Sequence, residues 1–250
     1  MTIDLNADAG ESFGHWQLGN DAELFPLISS VNVACGFHAG DPLTLRRTLE
    51  LAKQAGIAVG AHPGFPDLVG FGRRELAATP DEIYADVLYQ VGALSAFLKV
   101  AGLSLHHLKA HGALYNRAAR DSETALAIAQ AAKDFDPSLP LVVLPSSPLE
   151  VEAQRLGVRV IVEAFPERGY SHDGRLAPRG SGGAWIHSPV EAARRAVQML
   201  VKGQIETVDG RAIPIRAQTL CIHGDNPQAV GIARAIREAL LAEGITIQTY

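Results

Sequence analysis

Residues that cap helices are followed at once by proline at five places along this 250-residue chain, and that pattern constrains the fold most. Ser, Thr, Asp and Asn accept hydrogen bonds from the free N–H groups of a first helical turn, and proline suits the first helical position. The pairs are Asp41-Pro42, Thr79-Pro80, Ser147-Pro148, Ser188-Pro189 and Asn226-Pro227. They predict helices over residues 42–55, 80–101, 148–156, 189–202 and 227–243, and an alanine-rich stretch predicts a sixth over 122–135.

Short apolar runs precede most of these helices and are typical of buried parallel strands. The predicted strands cover residues 3–8, 31–36, 57–62, 105–111, 141–145, 159–165 and 219–223. Strand–helix alternation without a composition break predicts one α/β domain over residues 1–250, either a closed barrel or an open doubly wound sheet. The length favours an irregular (β/α) barrel with seven or eight parallel strands. Asp209-Gly210 predicts a small β-hairpin decoration within 205–215.

Composition excludes several classes of protein. The chain is 47% hydrophobic and 20% charged, with a net charge of −5, and it lacks the basic footprint of a nucleic-acid binder. No uncharged apolar run approaches the roughly 20 residues that span a bilayer, and no secretory signal is visible, so we expect no membrane partner. Only two cysteines are present, which fits a cytoplasmic protein without a disulfide framework.

Polar residues collect where predicted strands end, which is where parallel α/β proteins carry their chemistry. Asp4, Asn6 and Asp8 alternate along the first strand and therefore share a face, and Glu11 follows them. An unpaired buried carboxylate is costly, so this face is difficult to explain as core. We expect Asp8 to belong to a site and Asp4 to be a structural carboxylate.

Four histidines fall at the ends of four different predicted strands: His38, His62, His111 and His223. Their convergence on one rim predicts a site. His107 and His111 have the spacing of a helical metal pair, but four residues of strand span about 13 Å, too far for one ion.

Lys109 is the better partner of His111, because the two residues share a face of the strand. A lysine facing inward must find an anion or lose its charge. It is a candidate for stabilising developing negative charge, and the alternative is a structural ion pair with an acid such as Glu163.

The last predicted strand and the loops hold further candidates. His223 and Asp225 share a face if that strand continues; otherwise Asp225 begins the turn. Arg73 and Arg74 are candidates for clamping a carboxylate or phosphate, although one of them is equally well explained as a surface charge. Cys35 is expected to pack as a small apolar residue. The sequence has no phosphate-binding loop, no dinucleotide fingerprint and no nucleophile elbow.

Several strand-end segments are long and unusual enough to carry a family resemblance. They are DLNADAGE (4–11), NVACGFHAGDP (32–42), GAHPGFPDLVGFGRR (60–74), HGALYN (111–116) and CIHGD (221–225), together with Glu163-Ala164-Phe165, Arg168 and Tyr170. These segments resemble the LamB/YcsF family, that of the A subunit of the bacterial ATP-dependent 5-oxoprolinase. Departures from the family pattern are Ala110, where proline is expected, and Pro166-Glu167, where Ala-Asp is more usual.

The resemblance implies an irregular barrel related to glycoside hydrolase/deacetylase barrels. It also implies ATP-coupled opening of the 5-oxoproline lactam to L-glutamate, in complex with subunits B and C. One filled barrel leaves no room for a separate nucleotide domain, so ATP is met at the barrel rim or on another polypeptide. Two alternatives stay open: a metal-dependent hydrolase or deacetylase with Zn²⁺ on the rim, and a non-catalytic scaffold subunit.

Side-chain chemistry then suggests roles for the candidate residues. A base is needed to add water, and Asp8 or the pair His223 and Asp225 are the candidates. Lys109 and His111 are candidates for stabilising the carbonyl oxygen. The remaining candidates are His62 for catalysis, one arginine among Arg73, Arg168 and Arg179 for the substrate carboxylate, and Asn6, Glu11, His38 and Glu163 for further substrate contacts.

Overall fold

Seven parallel strands close into a barrel in the computed structural model, which describes residues 1–250. The strands of the chain are β1 (Thr2–Ala9), β2 (Ser30–Ala34), β3 (Ala58–His62), β4 (Leu105–Leu108), β5 (Leu141–Val143), β6 (Val160–Ala164), β7 (Gln204–Glu206), β8 (Ala212–Pro214), β9 (Thr219–His223) and β10 (Thr246–Ile247). The barrel order is β1-β2-β3-β4-β5-β6-β9, and β9 pairs with β1 to close it. The irregular barrel is confirmed, with seven strands. The predicted hairpin is also present, formed by β7 and β8, whereas β10 adds in parallel to β1 outside the ring.

Helices follow most of the barrel strands, largely at the predicted bounds. They are α1 (Asp21–Leu24), α2 (Pro42–Ala55), α3 (Pro80–Ala101), α4 (Gly112–Ala118), α5 (Ser122–Phe135), α6 (Pro148–Arg155), α7 (Pro189–Val197) and α8 (Ala229–Ala242). A 3₁₀ turn at Phe25–Leu27 follows α1, and a π-helical turn at Gln198–Lys202 extends α7. The cap-and-proline pattern therefore located four helix starts to the residue.

Three helix starts differ from the prediction, one of them at α1 (Asp21–Leu24), which was not predicted. Asn226 accepts a hydrogen bond from the Gln228 N–H within a turn, and α8 begins only at Ala229. Helix α4 was not predicted at all. It begins at Gly112 behind His111, which is extended and makes no side-chain cap, so the usual start signal is missing.

Helix α3 has the length and hydropathy of a membrane span. One face of it is buried in the wall of the barrel, through Ile83, Val87, Leu94 and Leu98 among others, and it packs against α5. This packing buries 33% of the apolar window.

The barrel interior is polar near its axis. Asp4 accepts hydrogen bonds from Ser29, Ser30 and Thr219, in keeping with the structural role expected for it. Higher in the barrel, Asn32 Oδ1 lies 2.7 Å from Nε2 of His107. These polar groups satisfy one another, as buried polar groups must.

Gly60 of β3 leaves the space that the His107 ring fills. A Cβ at position 60 would overlap the His107 ring at Nε2 and Cδ2. Gly60→Ala is therefore expected to displace the ring from Asn32 and to lower the free energy of unfolding by about 1–3 kcal/mol. Urea denaturation followed by circular dichroism measures the change.

Gly92→Ala is the matched control for that substitution. Gly92 lies in α3 with no atom within 4 Å of the position that a Cβ would take, and alanine is favoured over glycine in a helix by about 0.5–1 kcal/mol. A Gly60→Ala protein as stable as the wild type would contradict this account of the barrel interior.

Candidate active site

The ammonium group of Lys109 is buried inside the mouth of the barrel. Its Nζ lies 2.8 Å from Asp8 Oδ1, 3.0 Å from Glu163 Oε1 and 3.0 Å from Cys221 Sγ, and the residue is only 2% exposed. Burial alone would lower the pKa of Lys109, but Asp8, Cys221 and Glu163 together raise it well above its usual value. Lys109 is therefore a cation held between two carboxylates.

Asp8 is the anionic partner that also faces the open end of the barrel. Burial acts to raise its pKa, but His62 and Lys109 hold that pKa well below its usual value. Oδ1 accepts hydrogen bonds from Lys109 and from the Asn32 amide, and Oδ2 lies 3.5 Å from His62 Nε2. The predicted inward face of the first strand therefore carries a fixed negative charge.

Glu163 and Asn6 lie deeper in the barrel than the cavity, beside the Lys109 charge. The Glu163 carboxylate accepts hydrogen bonds from the Tyr115 hydroxyl and from the Asn6 amide, and burial raises its pKa. Neither Asn6 nor Glu163 lines the cavity above. Their contacts with substrate stay a prediction; in this structure Glu163 holds Lys109 in place, and Asn6 holds Glu163.

A small cavity of about 30 Å³ opens above Lys109. Candidate residues from five predicted strand ends and the following loops line it. They are Asp8, His62, Lys109, His111, Arg168, Arg179 and His223. The chemistry-bearing side chains therefore meet at the carboxyl ends of the strands, as the strand-end argument predicts.

His223 forms a pair with Glu167 rather than with Asp225. The imidazole Nδ1 and the backbone N–H of His223 both contact Glu167 Oε1. On the other side of the ring, Arg179 donates to Nε2 over 3.2 Å, so Nε2 carries the lone pair and Nδ1 the proton. Strand β9 ends at His223, and the alternative in which Asp225 begins the turn is the one observed.

Sequence reasoning missed Glu167, which orients the imidazole. The signal was present in the sequence: an acidic residue occupies the loop after β6, where the family resemblance also leads one to expect an acid. No periodicity relates position 167 to position 223, so the pairing emerges only from the folded chain.

The arginines divide into those paired with a carboxylate and those that line the cavity. Arg73 pairs with Asp225 at 2.6 Å, and Arg74 pairs with Asp67, and neither lines the cavity. Arg168 and Arg179 do line it. Burial, with Arg73 and Arg168 nearby, lowers the pKa of Arg179 to about 10. No carboxylate lies within 4 Å of Arg179, so its charge is available to an anionic ligand.

Three histidines and one glutamate form a second cluster beside the cavity. Potential ligand atoms of Glu11, His38, His62 and His111 all lie within 4.8 Å of one another, and all four residues are buried. His62 and His111 also line the cavity, whereas Glu11 and His38 lie behind them. The substrate contacts expected of Glu11 and His38 stay a prediction.

Cys35 packs as the small apolar residue that the sequence analysis predicts. It is buried, and burial raises the pKa of its thiol to about 12. A thiol with such a pKa is protonated near neutral pH and is a poor nucleophile.

Replacing Lys109 by methionine is expected to leave Asp8 and Glu163 as uncompensated buried carboxylates. Removing one partner of a buried ion pair costs about 3–5 kcal/mol, and urea denaturation should show a loss of that size. Lys99→Met, at an exposed position in α3, is the control and should stay within about 0.5 kcal/mol of the wild type. Equal stability of the two variants would contradict the central role of the Lys109 ion pair.

Comparison with known proteins matches the whole chain. A curated protein from Thermus thermophilus, named as the A subunit of 5-oxoprolinase, is 61% identical over 100% of both chains. The crystal structure of a lactam utilization protein from the same species superposes with a TM-score of 0.96 and 60% identity, again over 100% of both chains. A deacetylase designated T48, with 15% identity, superposes with a TM-score of 0.51 over 99% of this chain and 87% of its own.

The deacetylase likeness concerns the fold alone, and it agrees with the deacetylase-like barrel that the resemblance implied. The sequence profile described as the LamB/YcsF family matches residues 3–250. That match covers the strand-end segments that hold Asp8, Lys109 and His223. The chain belongs to the LamB/YcsF family.

Proposed function

We propose that this chain is the A subunit of an ATP-dependent 5-oxoprolinase and opens the lactam ring of 5-oxo-L-proline to give L-glutamate. The names of its close relatives support this proposal. The observation that carries it is one cavity bordered by a buried cation, a carboxylate-oriented imidazole and two arginines, through Lys109, His223, Arg168 and Arg179.

The arginines suit the charge of the proposed substrate. 5-Oxoproline carries a carboxylate beside its lactam ring, and Arg179 offers a guanidinium without a carboxylate partner. Arg168 is fixed by hydrogen bonds to the carbonyl oxygens of Ala177 and Ala184, and its guanidinium also borders the cavity. Together they favour binding of a small anion with its carboxylate at this wall.

His223 is the better-placed base of the two candidates. His223 lines the cavity, and its Nε2 lone pair accepts one hydrogen bond, from Arg179 at 3.2 Å, which is freed when Arg179 turns to the substrate carboxylate. Glu167 stabilises the imidazolium that forms on proton uptake. Asp8 is engaged by Lys109, Asn32 and His62, so its oxygens are committed to neighbours. We therefore assign proton transfer to His223 and give Asp8 the role of holding Lys109.

The ring opening then balances as follows. Water adds to the lactam carbonyl carbon while His223 takes one of its protons. Negative charge develops on the carbonyl oxygen, and the Lys109 ammonium stabilises it. The C–N bond breaks, and the proton held by His223 passes to the leaving nitrogen. ATP is coupled to this sequence when its γ-phosphoryl group passes to the lactam carbonyl oxygen and ADP leaves before water adds. Breaking the C–N bond then leaves an acyl phosphate, and a second water releases phosphate and glutamate.

ATP and partner subunits complete the proposal. The chain has no phosphate-binding loop, so ATP is met at the barrel rim or on another polypeptide. We place subunits B and C in the complex, and we place the complex in the cytoplasm, in line with the two free cysteines of this chain. A second candidate function, a metal-dependent hydrolase that needs no ATP, is favoured by the Glu11, His38, His62 and His111 cluster.

Release of ADP and glutamate from 5-oxoproline tests the proposal. The assay is run with this chain alone, with each partner subunit, and with all subunits together. We expect glutamate and ADP in equal amounts, and only when this chain is present. Full turnover by the partners without this chain would overturn the proposal, and lactam opening without ATP would favour the metal-dependent hydrolase.

His223→Ala should lower kcat by about 10²–10⁴-fold in the assembled enzyme, because the proton acceptor is lost. His172→Ala is the control, since His172 is exposed and lies outside the cavity. Unchanged turnover of the His223→Ala enzyme would remove His223 from the mechanism.

Arg179→Met should act mainly on substrate binding. Loss of a charge-assisted hydrogen bond costs roughly 1.5–3 kcal/mol, which corresponds to a KM for 5-oxoproline raised about 10- to 100-fold. Arg175→Met is the control, because Arg175 is exposed and does not line this cavity. An unchanged KM would show that the substrate carboxylate lies elsewhere.

A further inference from the structure

Two backbone carbonyl groups fix the tautomers of His62 and His111. Nδ1 of His62 lies 2.8 Å from the Lys109 carbonyl oxygen, and Nε2 of His111 lies 2.8 Å from the Phe71 carbonyl oxygen. A carbonyl oxygen only accepts hydrogen bonds, so both of these ring nitrogens must carry hydrogen. In neutral rings the other two nitrogens then carry lone pairs.

Those two lone pairs point at each other. His62 Nε2 and His111 Nδ1 are 3.0 Å apart, and two acceptors at that distance cannot form a hydrogen bond. A proton on one of these two nitrogens, or an electron-pair acceptor in its place, relieves the contact; Asp8 Oδ2 lies 3.5 Å from His62 Nε2 on the same side. An electron-pair acceptor between the two rings would satisfy both nitrogens.

His38 adds a third imidazole with no partner of its own. It is 1% exposed, and neither ring nitrogen has a hydrogen-bond partner. The ring stacks on His111 with centroids 3.7 Å apart, which places Nε2 3.9 Å from Glu11 Oε1. Buried polar nitrogens are rarely left unsatisfied, so this orphaned ring points to a missing ligand.

Glu11 supplies the matching negative charge. Its residue exposure is 6%, and Oε1 lies 3.9 Å from His111 Nδ1 as well as 3.9 Å from His38 Nε2. A buried carboxylate is costly unless a cation pairs with it, and a cation among these four residues would offset that cost.

The loop at Phe71 and Gly72 packs closely against His38 and His111. Phe71 has a φ of 55°, unusual for a residue with a side chain, and this conformation presents its carbonyl group to His111. Gly72 has a φ of 62°, and a Cβ there would lie 2.7 Å from His38 Cβ and 2.8 Å from His111 Cδ2. Strained backbone of this kind clusters at functional sites.

We propose that Glu11, His38, His62 and His111 bind one divalent transition-metal ion of the zinc class. Three imidazole nitrogens and a carboxylate oxygen are a donor set that zinc accepts. Bonds of about 2.0–2.1 Å to a tetrahedral ion put ligand atoms about 3.3 Å apart. The His62 and His111 nitrogens are 3.0 Å apart here, and Glu11 Oε1 is 3.9 Å from His111 Nδ1. The His38 ring, which stacks parallel to His111, must turn for its nitrogen to face the same ion. Histidines that bind a metal through one ring nitrogen usually donate from the other to a carbonyl or carboxylate oxygen. His62 Nδ1 and His111 Nε2 contact backbone carbonyl oxygens in this way.

The ion would lie at the wall of the cavity, because His62 and His111 border both. Its role there deepens the proposed function and rests on it: a bound cation would polarise the lactam carbonyl or a water beside Lys109. His62 and His111 then act as metal ligands rather than as proton carriers. Binding of the ion itself does not depend on which substrate the cavity takes.

Metal analysis of tag-free protein, purified without chelators, tests the site. We expect about one ion per chain by elemental analysis. After EDTA treatment, titration with ZnCl₂ should restore one tight site, and CoCl₂ should give the visible absorption bands of a four-coordinate ion. A trace metal content together with no saturable binding of either ion would overturn the proposal.

Variants identify the ligands without using activity as the readout. His38→Ala and Glu11→Gln should weaken Zn²⁺ binding by about tenfold or more, since each removes a ligand. His15→Ala, at an exposed histidine, is the control and should bind as the wild type does. Binding that is equal in all four proteins would overturn the assignment. Circular dichroism of each protein confirms its fold, and the near-isosteric Glu11→Gln variant keeps the test decisive if His38→Ala is unstable.

The metal site and the proposed function are contradicted by different results. Stoichiometric metal without 5-oxoproline turnover in the complete complex would leave the metal site standing and overturn the proposed function. ATP-dependent turnover by a protein that holds no metal would leave the proposed function standing and overturn the metal site.

Discussion

The polar interior of this barrel depends on one buried ammonium group. Lys109 cannot be taken out of water without anions, and it obtains them from Asp8 on β1 and Glu163 on β6, with the Cys221 sulfur of β9 beside them. Residues from three strands of the ring therefore contact one charge, which follows the end of a fourth, β4.

The polar side chains of the cavity lie on two sides of that ion pair. On one side, Asp8 contacts His62, which belongs to the histidine cluster with its facing lone pairs. On the other, His223 is oriented by Glu167 and contacted by Arg179. The two sides offer different chemistry to a small anionic amide: a place for a cation at one wall, and a proton carrier with anion-binding groups at the other.

The sequence predicted most of the scaffold because its signals are local. A capping side chain and a proline determine a helix start within three or four residues, so α2, α3, α6 and α7 begin where predicted. Helix α4 lacks such a signal, and β10 is only two residues long, too short to show periodicity. The barrel follows from alternation, which is a property of the chain as a whole.

The site could be predicted only in part, because its pairings are not local. Strand ends identified the four histidines that gather at the rim. They did not show that His223 would bond to Glu167 while Asp225 bonds to Arg73, since those partners come from separate loops. Likewise, the facing nitrogens of His62 and His111 depend on where two carbonyl groups lie, and no pattern of residue types encodes that.

The central claim is that lactam opening takes place at the mouth of this barrel. A crystal structure of the assembled complex with 5-oxo-L-proline and a non-hydrolysable ATP analogue tests it most directly. We predict density for the lactam in the cavity, with its carboxylate against Arg179 and its carbonyl oxygen toward Lys109 Nζ. A lactam bound wholly within a partner subunit, away from Lys109 and His223, would contradict the account.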